Sequence, residues 1–199
     1  MERFEDKVNA LGWLKYTNEI NDLKDLYSVN KLEHIIDRWT NNSNVEKFVS
    51  HGENLSYMFN KFLSDDDGIF YAFEGEKLVG VAFVSPPNRY YNYSTIEYLV
   101  VNPECHGRGI GTRMITSIKE NPDYFVGKEH RGSYVAFVHG DNIASQKAFL
   151  KNKFQVVKRV DTFFTHHDRY VYHTKKLDGK ELPEYDDEIL IDFEEKDIN

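Results

Sequence analysis

A glycine-rich turn between a strand and a helix constrains this chain more than any other feature of its sequence. The segment 95–101 reads as a strand that Asn102-Pro103 ends, and 110–119 reads as a helix. Between them stands His106-Gly107-Arg108-Gly109-Ile110-Gly111-Thr112. Glycines permit positive φ values and a close approach of the backbone to a ligand. The unpaired amides of a helix start then point at one spot and favour an anion, with pyrophosphate the natural occupant.

Other phosphate-binding motifs fit this turn less well. A P-loop requires Gly-x-x-x-x-Gly-Lys-Ser/Thr, and the sequence contains no such run. A dinucleotide fingerprint requires Gly-x-Gly-x-x-Gly, whereas Gly111 stands one place too early for the third glycine. An ordinary glycine-rich connection and a different nucleotide-binding domain are the alternatives.

The order of predicted elements indicates an α/β (α+β mixed) fold, with helices packed on a mixed sheet. Helices are predicted around 23–39, 45–63, 110–119 and 142–151. Strands are predicted at 12–16, 69–73, 78–84, 95–101, 134–138, 155–164 and 169–175, with a loop at 123–132. The strand–helix–strand unit 95–138 should be a right-handed crossover.

Composition fits one domain with a small extension. The 199 residues are 40% hydrophobic and 15% aromatic, which excludes global disorder. The formal net charge is −8, but nine acidic and two basic side chains from Lys180 onward carry −7 of it. We therefore expect a domain at 1–178 and an acidic C-terminal tail at 179–199. That tail is by default solvated, with an added strand or a partner-binding segment as alternatives.

Several classes of partner and location are disfavoured by the sequence. No long basic stripe is present, which argues against nucleic acid. The start, with Glu2, Arg3 and Glu5, is unlike a signal peptide, and no apolar run approaches the ~20 residues of a membrane helix. Cys105 is the single cysteine, so no internal disulfide can form. We expect a soluble cytoplasmic protein that binds no membrane.

Two blocks of the sequence resemble the motifs of the GNAT superfamily of N-acetyltransferases. The first runs from Ile96 to Glu104 and on from His106 to Gly111, and resembles motif A of that family. The second comprises Asn142, Ser145, Phe149 and Phe154, and resembles Asn-x-x-Ala-x-x-x-Tyr-x-x-x-Gly-Phe. The predicted strand order over roughly residues 10–175 also matches.

The resemblance implies a central, mostly antiparallel sheet of six to seven strands and acetyl-CoA as co-substrate, with no metal. It implies coenzyme contacts at Leu99, Val100, Val101, His106, Gly107, Arg108, Gly109, Ile110, Gly111, Thr112, Asn142, Ser145 and Phe149. Asn142 is expected to bond the pantetheine amides, to cap its helix, or both. The acceptor is a small-molecule or peptide amine, and the resemblance leaves room for a homodimer.

The implied reaction is the direct attack of a primary amine on a thioester. Glu97 matches the frequent base of the family, acting directly or through water, and we expect it to be partly buried. The Leu99 amide is the implied oxyanion donor. Period two would place Thr95, Glu97, Leu99 and Val101 on one face of the strand, and Tyr98 and Val100 on the other. A satisfied, salt-bridged sheet carboxylate is the alternative for Glu97.

Three residues depart from the family pattern. His106 stands where Gln or Arg is usual, which matters little because the amides hold the phosphate. Phe149 replaces a Tyr and cannot donate a proton, although a thiolate of pKa ~8.5 can leave without an acid. Lys153 replaces a Gly, and we expect Asn152 to adopt the left-handed turn in its place.

Other candidate sites are disfavoured. Cys105 beside His106 has no third group to orient a nucleophile. The histidines at 166, 167 and 173 lie in or near a predicted turn without matching metal ligands. The tyrosines at 90, 91 and 93 line the acceptor pocket or simply pack. That pocket is expected from 23–63 and 85–94.

Two functions of different classes therefore remain. The first is an acyl-CoA-dependent N-acyltransferase. The second is a non-catalytic acyl-CoA-binding or regulatory module, with which Phe149 is compatible because it cannot donate a proton.

Overall fold

A seven-stranded mixed sheet forms the centre of the protein in a computed structural model. The structure describes residues 14–17, 29–42, 68–87, 93–127, 133–161 and 168–173. The strands are β1 (Leu14–Thr17), β2 (Ile69–Glu74), β3 (Lys77–Ser85), β4 (Ser94–Val101), β5 (Tyr134–His139), β6 (Gln155–Asp161) and β7 (Asp168–His173). The predicted second helix at 45–63, the predicted turn residues 165–167 and the tail at 179–199 lie outside the described residues.

The sheet order is β1-β2-β3-β4-β5-β7-β6, and every neighbouring pair is antiparallel except β4 with β5. This arrangement confirms the predicted mixed, mostly antiparallel sheet. The β2–β3 hairpin turns through Gly75, whose φ of 61° is one that glycine adopts readily. Among the described strands, β1 lies at one edge of the sheet.

Helices cover both faces of the sheet. They are α1 (Val29–Thr40), α2 (Ile110–Glu120), the single turn α3 (Pro122–Phe125) and α4 (Ile143–Lys151), with a 3₁₀ turn at Pro103–Cys105. The prediction of a loop from 123 to 132 was wrong at its start, because α3 occupies residues 122–125. Pro122 opens α3, where a proline costs no hydrogen bond.

Two apolar cores lie on opposite sides of the sheet. On one side, α1 buries Leu32, Ile36 and Trp39 against β2, β3 and β4. On the other, α2 buries Met114, Ile115 and Ile118 against the opposite faces of the same strands and of β5. A Cβ at Gly80 of β3 would lie 2.6 Å from the Met114 sulfur, so this glycine lets α2 approach the sheet closely.

The side chain of Asn152 joins α2 to α4. It is buried, its Nδ2 donates to the Thr112 and Ala148 carbonyls at 2.9 Å each, and its Oδ1 lies 2.6 Å from the Thr116 hydroxyl. A buried amide with all of these bonds made is stable, whereas a buried unpaired one is costly. The residue therefore cross-links α2 to the end of α4.

Candidate active site

A cleft opens where the two parallel central strands separate. β4 and β5 pair only at Ser94–Tyr134 and Thr95–Val135, at the amino end of both strands. Beyond that seam the two strands and α4 surround the cleft. Its lining residues are Ile96, Glu97, Tyr98, Leu99, Ala136, Phe137, Val138, His139, Asn142, Ser145 and Phe149. The structure therefore brings Glu97 and Leu99 of the first block together with Asn142, Ser145 and Phe149 of the second, which lie more than forty positions further along the chain.

The backbone of β4 offers hydrogen-bonding groups to this cleft. The Asn102 N–H donates to the Val79 carbonyl, 2.9 Å away on the β3 side. Because backbone groups of successive residues in a strand point to alternate sides, those of Leu99 and Val101 point away from β3 and toward the gap. An extended ligand arm could therefore pair with β4 as an added strand.

The glycine turn is exposed at the end of β4. Gly107 and Gly109 have φ values of 76° and 77°, and a Cβ on either would meet nothing within 4 Å. The His106 ring Nε2 lies 2.9 Å from the Val101 carbonyl oxygen and ties the turn to the strand. In the described part of the chain, no backbone acceptor partners the amides of 107–112; the next amide, of Arg113, donates to the Gly109 carbonyl at 3.1 Å.

The first turn of α2 lies directly against β4. A Cβ at Gly111 would contact Leu99 Cδ2 at 3.5 Å and Val101 Cγ2 at 3.6 Å. Ile110 is buried in the core, while residues 106–109 are exposed. The helix is thus anchored by Ile110 while its N-terminal amides remain open, which is the arrangement an anion requires.

The Arg108 side chain has an acidic partner. Its Nη2 donates to both carboxylate oxygens of Glu74, at 2.6 and 2.8 Å, and Nη1 lies 3.8 Å from the sulfur of Cys105. The bond and charge of Glu74 raise the pKa of Arg108 further above its already high value. Cys105 itself is buried, and so is separated from the exposed His106 beside it.

A β-bulge at Glu97 changes the predicted faces of β4. Val84 pairs with Ile96 and Phe83 pairs with Tyr98, so Glu97 has no opposite residue on β3. Ile96, rather than Thr95, therefore shares the α2 face with Leu99 and Val101, and that part of the period-two prediction was wrong. Tyr98 and Val100 do face the α1 side, as predicted.

Glu97 itself is exposed at the cleft rather than partly buried as expected. An exposed carboxylate can exchange protons with water as well as with a bound amine. The bulge places it at the mouth of the cleft, two residues before the Leu99 amide, which is a position suited to proton transfer.

The far wall of the cleft belongs to α4. Asn142 caps this helix, because its side-chain oxygen accepts from the Ser145 N–H at 3.0 Å. Phe149 is buried and meets Phe154 edge-on, with ring centroids 5.0 Å apart. At the end of α4 the left-handed residue is Lys153, with φ 65°, and not Asn152, whose φ is −86°, so that expectation was wrong.

His139 is a cleft residue that the sequence did not single out. Its Nδ1 accepts the Asp141 N–H at 3.0 Å, so the neutral ring carries its proton on Nε2. His139 is the last residue of β5, and it lines the cleft because β5 lies next to the parallel strand β4. The sequence signal was its place directly after a buried strand, where site residues of parallel pairs collect.

Two negative findings concern the described residues alone. Within them, no three His, Cys, Asp or Glu side chains are grouped so as to hold a metal ion. Likewise, none of the helices seen there is both long and apolar enough to span a membrane.

Solved acetyltransferases share this fold. A NatC complex bound to Gag peptide and CoA has a chain that aligns with 82% of this protein and 99% of its own length, at 14% identity and a TM-score of 0.62. A spermidine N-acetyltransferase chimera from Vibrio cholerae and hSSAT aligns with 81% of this protein and 95% of its own length, at 13% identity and a TM-score of 0.62. An N-acetyltransferase from Staphylococcus aureus aligns with 80% of this protein and 96% of its own length, at 19% identity and a TM-score of 0.57.

The chain therefore shares its fold with these solved structures. The profile of the Acetyltransferase (GNAT) family matches residues 32–154, more than half of the chain. The protein therefore belongs to the GNAT family of acetyltransferases, which confirms the resemblance read from its two sequence blocks. No curated protein sequence matched it.

Proposed function

We propose that this protein is an N-acyltransferase that moves an acetyl group from acetyl-CoA to a primary amine by direct attack on the thioester. The observation that carries the proposal is the two-residue seam between β4 and β5, which leaves the Leu99 backbone facing an open cleft. The NatC structure contains CoA and a peptide, and a second neighbour is a spermidine N-acetyltransferase. A peptide or small-molecule amine is the corresponding acceptor here.

The residues present fit coenzyme A. Its pyrophosphate would be held by the amides of residues 107–112, which are open and lie at the start of α2. Its pantetheine arm would pair with the backbone at Leu99 to Val101. Asn142, Ser145 and Phe149 would form the opposite wall, with Asn142 already oriented by its cap.

Two groups on β4 are suited to the chemistry. A primary amine has a pKa near ~10 and is mostly protonated at neutral pH, so it must lose a proton before it attacks. Glu97 lies exposed at the cleft and would accept that proton, directly or through water. The Leu99 N–H points into the gap and would stabilise the negative charge that develops on the thioester oxygen.

Thiol release from acetyl-CoA over a panel of amines and peptides tests the proposal. We expect turnover with at least one primary amine, and a loss of about 10²-fold or more in kcat for Glu97→Gln, the usual contribution of a general base. Glu76→Gln is the matched control, because Glu76 is an exposed carboxylate in the β2–β3 turn, outside the cleft. It should retain full activity.

The alternative is a non-catalytic acyl-CoA-binding module. Phe149 favours it, since a buried phenyl ring has no proton for the leaving thiolate. Tight coenzyme binding without turnover of any amine, and without any effect of Glu97→Gln, would establish that function instead. Stabilisation by ATP or NAD but not by CoA would point to a third class of protein. We also propose that the transferase domain spans 1–178, followed by a solvated acidic tail, in a cytoplasmic protein.

A further inference from the structure

The glycine turn has few fixed points in the structure. Gly107 and Gly109 are both exposed, both have positive φ, and neither Cα position is crowded. Among residues 107–109, it is the Arg108 side chain that bonds a strand of the sheet, because it donates to Glu74 at the end of β2. The Arg108–Glu74 ion pair therefore ties the centre of the turn to β2, in addition to the His106 contact that ties its start to β4.

The Arg108–Glu74 ion pair is a short, charge-assisted contact. One guanidinium nitrogen bonds both carboxylate oxygens, at 2.6 and 2.8 Å, and the Cys105 sulfur lies near the other. The Glu74 side chain is 33% exposed and that of Arg108 is 47% exposed, so the pair lies at the surface. A hydrogen bond between two charged groups is shorter and stronger than one between neutral groups.

We propose that Glu74 is a positioning residue for the anionic half of the coenzyme, acting through Arg108 to hold the glycine turn in its binding conformation. This inference rests on the proposed function of the turn. Its consequence is that Arg108 contributes its backbone amide to the phosphates while its side chain stays bound to Glu74. Loss of the tether leaves the turn to be ordered during binding, which weakens binding without changing the bound state.

The opposite arrangement makes the opposite prediction. If the Arg108 guanidinium leaves Glu74 to bind phosphate, Glu74 competes with the coenzyme, and its removal tightens binding. The effect of a Glu74 substitution on coenzyme affinity therefore has a different sign in the two cases. This sign does not depend on the acceptor amine, so it can be measured with coenzyme A alone.

The experiment measures the Kd for coenzyme A by calorimetry, and KM and kcat for acetyl-CoA, in Glu74→Gln, Glu74→Asp, Arg108→Gln and the double variant Glu74→Gln/Arg108→Gln. Glu74→Asp keeps the charge but shortens the side chain by one methylene group, so it separates the tether from the net charge. Lys77→Gln is the matched control. It breaks a second ion pair between the same hairpin and the same loop, Lys77–Glu104 at 3.2 Å, that does not involve the glycine turn.

We expect each Glu74 variant and Arg108→Gln to raise Kd and KM by about three- to tenfold with kcat unchanged, the range for ordering one side chain and its turn on binding. The double variant should be no weaker than the single ones, because all of them break the same tether. Lys77→Gln should stay within about twofold of the wild type, as isolated exposed pairs contribute little. Melting temperatures show whether each variant remains folded.

Three results would overturn the inference. Tighter binding of coenzyme A by Glu74→Gln would show that Glu74 competes with the coenzyme for Arg108, and unchanged binding would show that Glu74 has no role. A Glu74→Asp variant that behaves like the wild type shows that charge alone matters. Additive losses in the double variant show that Arg108 binds the coenzyme independently. If wild-type protein binds no coenzyme A, the proposed function itself fails, and that result is separate from these three.

Discussion

Replacing Lys153 by glycine should stabilise this protein, although it removes a side chain. The α4 helix ends in a Schellman motif: the Lys153 N–H bonds the Leu150 carbonyl at 3.0 Å, and the Phe154 N–H bonds the Phe149 carbonyl at 3.2 Å. This motif requires a left-handed residue at position 153, where φ is 65°. A side chain in that conformation costs ~1–2 kcal/mol, whereas glycine adopts it freely.

The exposed side chain of Lys153 loses little burial on removal, so the backbone term dominates. Greater chain entropy of the unfolded glycine variant offsets part of the gain, by ~0.5–1 kcal/mol. The net stabilisation of Lys153→Gly should therefore be ~0.5–1 kcal/mol, and a gain of ~1 kcal/mol raises Tm by roughly 2–4 °C in a protein of this size.

Lys151→Gly is the control for Lys153→Gly. It removes the same exposed side chain two residues earlier, but from the last helical position. That variant should lose ~0.5–1 kcal/mol, since glycine is a poor helix residue. Urea unfolding followed by far-UV circular dichroism measures both. Equal changes of the same sign in the two variants, or no gain in Lys153→Gly, would refute the assignment of strain to position 153.

Four further predictions concern the turn, the buried tyrosines and the aromatic wall of the cleft. Gly109→Ala should cost ~1 kcal/mol of stability, because alanine is strained at φ 77°, and should raise the KM for acetyl-CoA. Gly75→Ala, at φ 61° in the β2–β3 turn, should cost as much stability without changing this KM. Equal KM values for the two variants would argue against the phosphate site. Burial raises the pKa of Tyr71 and Tyr134 above the ordinary value, so the folded state keeps both protons while the unfolded chain loses them, and stability should fall as pH rises past about 10. Among the described residues, the Tyr71 hydroxyl has no hydrogen-bond partner, while the Tyr134 hydroxyl donates to the Ile118 carbonyl at 2.9 Å. Tyr71→Phe should therefore leave the free energy of unfolding unchanged or raise it, and Tyr134→Phe should lower it by ~1–2 kcal/mol. Urea unfolding measures both, and the reverse order would contradict this account. Phe149→Tyr restores a hydroxyl at the cleft and should change kcat by less than about twofold, since a thiolate of pKa ~8.5 leaves unaided; a tenfold rise would show that protonation limits the wild-type enzyme.

Local patterns in the sequence were sufficient to predict most of the sheet and the family. The hydrophobic runs of β2, β3, β4 and β5 end at prolines, glycines or polar turns, so their bounds were predicted to within one or two residues. The glycine turn and the Asn142 cap were predictable for the same reason, because each depends on residue type within one short segment.

What the sequence could not show depends on contacts between distant segments. The bulge at Glu97 is a property of the pairing of β4 with β3, so period two alone placed Thr95 with Leu99. The separation of β4 from β5 depends on how both strands twist after their two-residue seam. His139 enters the cleft, and Arg108 meets Glu74 across 34 positions, only because the tertiary structure brings them together.

The left-handed turn after α4 shows how two local rules can conflict. Asn tolerates that conformation better than Lys, and the sequence therefore favoured position 152. The side chain of Asn152 instead bonds Thr112, Thr116 and Ala148, and this buried network holds residue 152 in place. Lys153 then adopts the strained φ, because the cost of unpairing a buried amide exceeds the cost of the strain.

The same amide of Asn152 has a wider consequence. Past the seam, no ladder of main-chain bonds between β4 and β5 determines how far apart the walls of the cleft stand. α2 packs against β4 at Gly111, α4 forms the opposite wall, and the Asn152 side chain joins the two helices outside the cleft. We therefore expect a substitution at position 152 to change the width of the cleft while every residue that lines it stays the same.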